Sequence, residues 1–416
     1  MRITGILVLC VLTLSVFALP TVTSAQTWDY VPVGPRTIAM GGTGLAISSG
    51  DEAFTSNPAL IGWNGQTSLS LAIRTRNEDV IRSDYVGYIV DGTTTRSHLA
   101  SLVLPIPALE DRFSFGISHT RPIEPIYTDF GFDGGVEMIS PSVAVQVMEG
   151  WRIGAAFNIW AGNITFDGGT SEYHPFVYSR KDGSITPETE WKEIELTGLN
   201  ATLGTQVTLY EHYQQHKVYL GAAARLPFKL KSDPNSMHVV NGLLYTFDGE
   251  EDIDMPLTLG TGLGWLINNR VTIATDFEYR IWDEPYKYTR VVDYPGVPVH
   301  QIVTLTVPNA EHTWQLGAGA EYAIPFENFE IPLRMGYRYF TMPFLNDDDS
   351  PVAGEALSLG IGFRSEMFQL NLAYQQSRAT HILPVEFREI KSIEEGVSYG
   401  YNTFIAGAAV NLSELW

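Results

Sequence analysis

Residues 151–162 read WRIGAAFNIWAG, a stretch in which apolar and more polar side chains alternate. Trp151 and Phe157 fall on one side of an extended chain, and Arg152 and Asn158 fall on the other. Successive side chains of a β-strand point to opposite faces of the sheet. A period of two therefore predicts a strand that separates two unlike surroundings.

The same alternation recurs in about fourteen segments, which is within the usual size of outer-membrane barrels. Clear examples are RVTIATDFEYRIW at 270–282, FEIPLRMGYRYF at 329–340 and MFQLNLAYQQ at 367–376. Short connections such as 267–269 alternate with long ones such as 167–190, which are rich in Asp, Gly, Pro and Thr. Short turns at one end and long loops at the other are typical of up-and-down outer-membrane barrels. We therefore predict an all-β fold, a transmembrane antiparallel up-and-down β-barrel of about fourteen strands.

Three details refine this prediction. HQIVTLTV at 300–307 is either an extra hairpin arm or part of a loop, so the strand count is open by two. The last strand, YNTFIAGAAVNLSELW, places Phe404, Val410, Leu412 and Trp416 on one face and ends on an aromatic residue. Aromatic residues near strand ends predict girdles at the two membrane–water interfaces. These residues are Trp151, Trp160, Trp265, Trp282, Tyr210, Tyr339 and Phe340.

The first 25 residues are predicted to be a signal peptide. Arg2 gives a positive start, an apolar run of suitable length follows, and TVTSA precedes a cut after Ala25. A transmembrane anchor is the alternative, but the run is short and Pro20 follows it. Cys10, the only cysteine, lies in this segment, so the mature chain is expected to have neither a disulfide nor a thiol nucleophile.

Charge and motifs exclude several functional classes. The formal net charge of −21 disfavours a nucleic-acid partner, because a basic surface is needed to follow phosphates. The sequence contains no His-Glu-x-x-His and no Walker-type loop, and its nine histidines show no metal-ligand spacing. Its Gly-x-Ser-x-Gly match, GVSYG at 396–400, lies at the start of the predicted last strand and not at a strand-to-helix elbow. We therefore expect no enzyme activity, no cofactor and no metal.

Residues 26–64 differ from the rest of the chain because they do not alternate. They mix small residues with short apolar pieces, which predicts brief helices and turns. A barrel of this size has a lumen too wide for its own wall side chains to fill. We therefore predict that 26–64 forms a plug, or hatch, inside the barrel made by 65–416.

GPRTIAMGGTGLAISSGDEAFTSNPALIGW, which leads straight into TSLSLAIRTR, resembles the N-terminal hatch of the FadL/TodX outer-membrane transport family. That family carries a glycine-rich MGG pattern followed by an Asn-Pro-Ala motif before its first strand. The residues that match it in order are Met40, Gly41, Gly42, Ala46, Asp51, Ala53, Asn57, Pro58 and Ala59. The motif covers about thirty residues, and the barrel pattern extends the likeness to the whole chain.

The resemblance implies a plugged fourteen-stranded barrel for passive uptake of hydrophobic solutes, such as long-chain fatty acids or aromatic hydrocarbons. Its expected location is the outer membrane of a Gram-negative-type bacterium, with outer-membrane lipid and the barrel-assembly machinery as partners. Barrels of the same superfamily also act as PorV-like shuttles of type IX secretion, which bind secreted proteins. The Asn-Pro-Ala motif does not separate these two functions. A general porin is disfavoured by the plug.

Four further positions have two interpretations each. Asn57 and Pro58 form either a plain turn or the hinge between the hatch and the barrel wall. Gly116 and Pro122 are either ordinary strand features or places where strand pairing fails and a lateral opening forms.

Several arginines share the inward register of the predicted strands. Arg152, Arg334 and Arg338 are candidate contacts for a ligand carboxylate, because a guanidinium binds a carboxylate with two parallel hydrogen bonds. The alternative is that they pair with wall carboxylates or with Asp51 and Glu52 of the hatch.

Overall fold

The computed structural model describes most of the chain outside its N-terminus and its long connections. The described residues are 34–48, 50, 52–62, 65–82, 89–106, 112–123, 132–167, 190–213, 215–232, 237–240, 243–246, 253–282, 287–292, 301–306, 312–345, 350–381 and 397–415. The predicted signal peptide, together with Cys10, lies outside them, as do Asp51 and Trp416.

Fourteen strands form one closed antiparallel sheet, in which each strand pairs with its neighbours in chain order. β1 pairs both with β2 and with the last strand, β20, so the sheet has no free edge. Every backbone N–H and C=O in the wall can then find a partner in the protein, as a membrane requires. The strands are β1 Ser68–Arg82, β2 Ile89–Pro105, β3 Phe113–Ile123, β4 Phe132–Met148, β5 Trp151–Asp167, β6 Glu190–His212, β7 His216–Arg225, β12 Leu257–Ile267, β13 Val271–Ile281, β16 Thr313–Pro325, β17 Glu330–Leu345, β18 Pro351–Arg364, β19 Phe368–His381 and β20 Val397–Asn411.

Six short strands lie in two of the long connections. Between β7 and β12 are β8 Phe228–Ser232, β9 Met237–Val240, β10 Leu243–Thr246 and β11 Ile253–Met255. β8 and β9 pair with the first part of β6 and extend the wall at the long-loop end. β14 Lys287–Val292 and β15 Gln301–Thr306 form a separate hairpin. The sequence at 300–307 is therefore a hairpin arm outside the barrel sheet, and the predicted count of fourteen is confirmed.

The barrel is apolar outside and polar inside. Outward side chains such as Leu71, Leu199 and Met335 are 57%, 59% and 61% exposed, whereas inward Asn158 and Gln375 are 1% and 0% exposed. A water-soluble sheet has the opposite arrangement, with its apolar side chains covered. An exposed apolar band around a closed barrel is the surface that faces lipid.

The predicted aromatic girdle is correct only in part. Trp151, Tyr210 and Trp265 face outward and are 36–53% exposed. Trp160, Trp282 and Phe340 are buried inside the barrel at 1%, 9% and 1% exposure, so their assignment to the girdle is wrong. Position near a strand end determines how far along the barrel axis a side chain lies. The alternation of successive residues determines whether it points outward or inward. The predicted last strand is also too long, since it ends at Asn411 and a 3₁₀ helix, η2 Leu412–Leu415, follows.

The described residues 34–62, called here the N-terminal segment, contain α1 Pro35–Ala39, α2 Ala53–Ser56 and the 3₁₀ helix η1 Pro58–Leu60. Its apolar side chains pack on inward-facing residues from opposite sides of the barrel. Ile38 packs in one cluster with Leu99 and Ile405, and Met40 packs in another with Tyr219 and Ala274. The segment therefore lies within the ring of strands. No helix in the described residues is long and apolar enough to cross a membrane.

Candidate functional site

The Met40-Gly41-Gly42 turn lies directly against the barrel wall. Gly41 and Gly42 have φ angles of +70° and +86°, which glycine adopts without the steric cost that other residues bear. A Cβ atom at Gly41 would lie 2.6 Å from the backbone oxygens of Ala318 and Tyr337. On the wall side, a Cβ atom at Gly336 would overlap the Gly41 amide nitrogen. The backbones of the segment and the wall meet here because neither carries a side chain.

The same arrangement repeats around the barrel. Many inward-facing wall glycines would each place a Cβ atom within 3 Å of the N-terminal segment, and these include Gly116, Gly154, Gly204, Gly221, Gly264, Gly317, Gly319, Gly336, Gly360 and Gly407. Glycine in a strand interior weakens the strand unless another backbone approaches it closely. These positions therefore form a seat shaped for the segment.

Asn57 joins two parts of the N-terminal segment to β6. Its side-chain Nδ2 donates to the Leu45 carbonyl at 2.6 Å and to the Thr205 carbonyl at 2.9 Å. Its Oδ1 accepts from the Ala59 amide at 3.1 Å and caps η1, whose first residue is Pro58. Asn57 is fully buried, and Gly204 provides the space that its Oδ1 occupies. The Asn-Pro-Ala motif is thus both a turn and an attachment to the wall.

Glu321 on β16 binds arginines from the segment and from the wall. Its carboxylate lies 3.0 Å from Arg36 Nε of α1, 2.6 Å from Arg334 Nε and 3.5 Å from Arg364 Nη2. Arg36 Nη1 also donates to the Ile47 carbonyl at 2.6 Å. The Glu321 and Arg334 side chains are 5% and 0% exposed, so the cluster is shielded from water. It ties α1 to the wall close to the short turn after β16.

Two more buried carboxylates hold backbone amides of the segment. Asp276 on β13 accepts from the Gly44 and Leu45 amides at 2.6 and 2.8 Å. Glu52 accepts from the Arg36 and Thr37 amides at 2.9 and 2.7 Å, at the start of α1. Charge-assisted hydrogen bonds of this kind are stronger than neutral ones.

A pocket with aromatic walls lies inside the long-loop end of the barrel. Its free volume is about 20 Å³, roughly the space of one water molecule, and its lining residues are Trp160, Arg225, Phe228, Met255, Pro256, Thr258, Arg280 and Trp282. The rings of Trp160 and Phe228 stack with their centroids 5.1 Å apart. The lining is mostly apolar with a few polar groups, as in sites that bind small molecules, and its side chains must move apart before such a molecule fits.

Hydrogen bonds fix the polar atoms of the pocket. Trp160 Nε1 donates to Asn200 Oδ1 at 2.9 Å, which leaves the faces of the indole ring for apolar contacts. Arg225 Nη2 donates at 3.0 Å to the carbonyl of Thr55 in α2. Arg225 therefore touches both the pocket and the N-terminal segment. Arg280 Nη2 lies 3.8 Å from a Glu278 carboxylate oxygen.

The three arginines predicted as head-group contacts lie away from this pocket lining. Arg152 donates to Gln146 Oε1 at 3.2 Å, and Arg338 donates to Gln315 Oε1 at 3.3 Å and lies over the Phe340 ring. Arg334 binds Glu321 and also donates to Asn371 Oδ1 at 2.8 Å. Their role toward a ligand stays a prediction.

The two predicted lateral-opening positions lie on β3. Gly116 is paired with Val103 of β2 and with Ser142 of β4. Pro122 lies where the pairing of β3 with β4 shifts register, between Thr120 and Ile123. A lateral opening at either position stays a prediction.

Sequence reasoning missed Glu321, Asp276 and the wall glycines as partners of the segment. The sequence could have indicated the wall glycines, because glycine recurs in the interior of predicted strands, where it marks the close approach of another backbone. For the pocket aromatics Trp160 and Trp282, position near a strand end predicted the membrane-facing surface, but both side chains lie inside the barrel. Among the described residues, no group of three or more His, Cys, Asp or Glu side chains could hold a metal ion.

Comparison with known proteins relates this architecture to solved structures. No family model matches the chain, and no curated protein matches its sequence. A FadL homologue from Pseudomonas aeruginosa superposes with a TM-score of 0.64 at 15% identity and covers 94% of this chain and 100% of its own. The toluene transporter TodX from Pseudomonas putida gives 0.62 at 15% identity, with 94% and 100% covered. The CymD monoaromatic hydrocarbon channel gives 0.62 at 16% identity, with 92% and 99% covered. The chain therefore has the fold of the FadL/TodX-type channels, as its sequence predicts.

Proposed function

We propose that the protein is an outer-membrane channel for the passive uptake of hydrophobic small molecules, with the N-terminal segment as its plug. The observation that carries the proposal is the aromatic pocket inside a closed barrel whose outer surface is apolar. The solved structures with the same fold include a toluene transporter and a monoaromatic hydrocarbon channel. The role proposed here is transport, without a catalytic step.

The pocket is suited to capture an apolar solute that enters from the long-loop end. Arg225 and Thr258 lie at or next to the ends of β7 and β12 that face the long connections. Trp160, Phe228 and Trp282 provide aromatic surface, and each such ring buries a large apolar area when it contacts a ligand. Arg225 and Arg280 add positive charge at one side, which allows a carboxylate head group as well as a bare hydrocarbon.

We propose that the N-terminal segment, which packs on inward-facing residues of the wall, blocks direct passage through the barrel. Its polar attachments to the wall include Arg36 to Glu321, Gly44 and Leu45 to Asp276, Asn57 to Thr205, Gln206 to the Ala46 carbonyl and Arg225 to the Thr55 carbonyl. We propose that transport requires the segment to shift on these attachments, with Met40, Gly41, Gly42 and Asn57 to Ala59 as the moving contacts.

A lateral exit through the wall between β2 and β3 is the proposed alternative to passage past the segment. β2 and β3 pair over seven residues, whereas β1 and β2 pair over fourteen. An apolar cluster extends from Trp160 and Met255 of the pocket to Ile123, at the end of β3 beside Pro122. A solute that follows this cluster reaches the least paired part of the wall.

Calorimetric titration of the folded barrel in mild detergent tests the capture step. Saturable binding of a long-chain fatty acid or of toluene is expected for the wild type. Trp160→Ala is expected to weaken binding about tenfold, because it removes an aromatic surface worth roughly 1.5 kcal/mol or more. Trp265→Ala makes the same change on the outward face and is expected to leave binding unchanged.

Two results would contradict this proposal. Equal weakening by both tryptophan variants would place the ligand outside the pocket. If the folded wild type binds neither solute, the chain is not a hydrophobic channel, and the PorV-like protein-binding role becomes the function to test by pull-down.

Asn57→Ala is expected to reduce uptake several-fold while the barrel still assembles. The substitution removes three hydrogen bonds that position η1 against β6, each worth about 1 kcal/mol, but leaves all wall pairing intact. Heat-modifiability on a gel reports assembly, and solute uptake by cells reports transport. Asn163→Ala, at an exposed outward position, is the control. A variant that is unfolded or protease-sensitive throughout the barrel would show that Asn57 is only a structural turn.

A further inference from the structure

A row of hydrogen-bonding side chains runs along the inner wall from strand to strand. We call it the polar row. It begins on β1 and continues to β13, and its members are Ser70, Ser101, Ser118, Ser140, Asn158, Asn200, Thr202, Arg225, Thr258 and Arg280.

The strand register sets this alignment. Ser70 lies directly opposite Ser101, Ser101 opposite Ser118, and Ser118 opposite Ser140. Ser140 Oγ donates to Asn158 Oδ1 at 2.7 Å. The lower part of the row is thus continuous from β1 to β5.

The upper part shifts by two residues on β6. Asn158 is opposite Asn200, and Asn158 Nδ2 donates to Asn200 Oδ1 at 2.9 Å and to Thr202 Oγ1 at 3.0 Å. Thr202, two residues further along β6, is the residue opposite Arg225. Arg225 is opposite Thr258, which is opposite Arg280. Arg225, Thr258 and Arg280 are also lining residues of the aromatic pocket.

The row climbs from one end of the barrel to the other. Ser70 is the third residue of β1, at the short-turn end, and Arg280 is the last but one residue of β13, at the long-loop end. In a barrel the strands are tilted, so a line that follows the interstrand hydrogen bonds rises as it goes round. The row therefore connects the pocket to the opposite end of the lumen.

Some of these groups lack a protein partner. Ser70 and Ser118 are 2% and 1% exposed, and their Oγ atoms make no hydrogen bond to any described residue. Buried hydroxyls nearly always have a partner, either protein or water. Ser70 and Ser118 therefore have hydrogen-bonding capacity that a head group reaching the row can use.

We infer that the polar row is a track for the polar head group of an amphiphilic solute, from the pocket toward the short-turn end. The inference rests on the proposed function, because the buried row becomes accessible only when the N-terminal segment moves. A serine hydroxyl or an asparagine amide both donates and accepts hydrogen bonds. Neighbouring strands are about 4.8 Å apart, so a hydroxyl or carboxyl head group can form its next bond before it loses the last.

The test compares two solutes of equal chain length, decan-1-ol and decane, in cells whose outer membrane lacks other hydrophobic channels. The variant S70A/S118A/S140A removes three hydroxyls and adds no volume. Uptake of decan-1-ol is expected to fall at least about fivefold, and uptake of decane to stay unchanged, because only the alcohol has a head group to bond. Heat-modifiability shows that equal amounts of barrel are folded, and S118A alone replaces the triple variant if that one assembles poorly.

The control is Ser377→Ala on β19, outside the row. Ser377 is 0% exposed, and its Oγ also has no hydrogen-bond partner among the described residues. It is expected to leave the uptake of both solutes unchanged. Equal slowing of both solutes by the triple variant, or no slowing, overturns the track but leaves the channel function standing. A wild type that takes up neither solute overturns the channel function and the track with it.

Discussion

Replacing Glu321 with glutamine is expected to release the N-terminal segment from the wall and to cost about 3–5 kcal/mol of stability, the usual effect of breaking a buried ion pair. Glutamine keeps the shape of the side chain but removes the negative charge. Arg36 and Arg334 are then left close together with no carboxylate between them. The interior screens charges less than bulk water does, so this repulsion is stronger than it would be at an exposed site.

Trypsin gives a direct measurement of this release. Arg36 is 8% exposed in α1, so cleavage after it is slow unless the segment leaves its seat. We expect E321Q to be cut after Arg36 at least tenfold faster than the wild type, with the barrel still resistant. Glu330→Gln is the matched control, because Glu330 pairs with Arg364 at the half-buried edge of the same cluster and is worth about 1 kcal/mol or less. If both variants are cut at the wild-type rate, Glu321 does not hold the segment.

Gly336→Ala is expected to unseat the Met40-Gly41-Gly42 turn and to leave a permanently open pore. The added methyl group would overlap the Gly41 amide nitrogen, and a backbone atom cannot rotate away as a side chain can. Overpacking of this kind costs about 1–3 kcal/mol, and the cost falls on the seated position of the turn alone, so the balance moves toward the displaced turn. The strand pairing of β17 with β16 and β18 needs no change.

Conductance in planar bilayers measures this opening. The wild type is expected to be closed for most of the recording, and G336A to show steady ion current from single barrels. Gly260→Ala, on β12, adds the same methyl group next to the flexible ends of the Leu45 and Glu278 side chains, so it is expected to behave as the wild type. Closed G336A barrels that remain folded would refute the proposed fit between the turn and the wall.

The architecture can be predicted from the sequence because each strand of a lipid-facing barrel alternates apolar outward residues with more polar inward residues. The period of two at 151–162 predicts β5, and the faces it assigns are the observed ones, with Phe157 50% exposed and Asn158 1% exposed. The strand count follows from the alternation of short and long connections. Trp160 shows the limit of the girdle argument: the same alternation places it on the inner face with Asn158, but its position near a strand end suggested the membrane interface.

The contacts of the N-terminal segment could not be predicted from the alternation of polar and apolar residues. Arg36 and Glu321 are 285 positions apart, and Gly44 and Asp276 are 232 apart. Which carboxylate meets which residue depends on strand tilt and register, which the alternation of polarity does not determine. The Asn-Pro-Ala motif predicts a change of chain direction, and Asn57 caps η1 there, but the bond from Asn57 to Thr205 could be found only from the folded barrel.

These contacts join residues that are far apart in the sequence, and this separation affects the order in which the parts of the molecule fold. α1 packs on Ala373 and Ile405, which belong to the last two strands. A contact between such distant parts of the chain forms slowly, because the intervening loop must be closed first. Apart from the closing pair of β1 with β20, the wall strands each pair with the next barrel strand along the chain. The N-terminal segment, although it is synthesised before the barrel strands, therefore reaches its final place only after the last of them has folded.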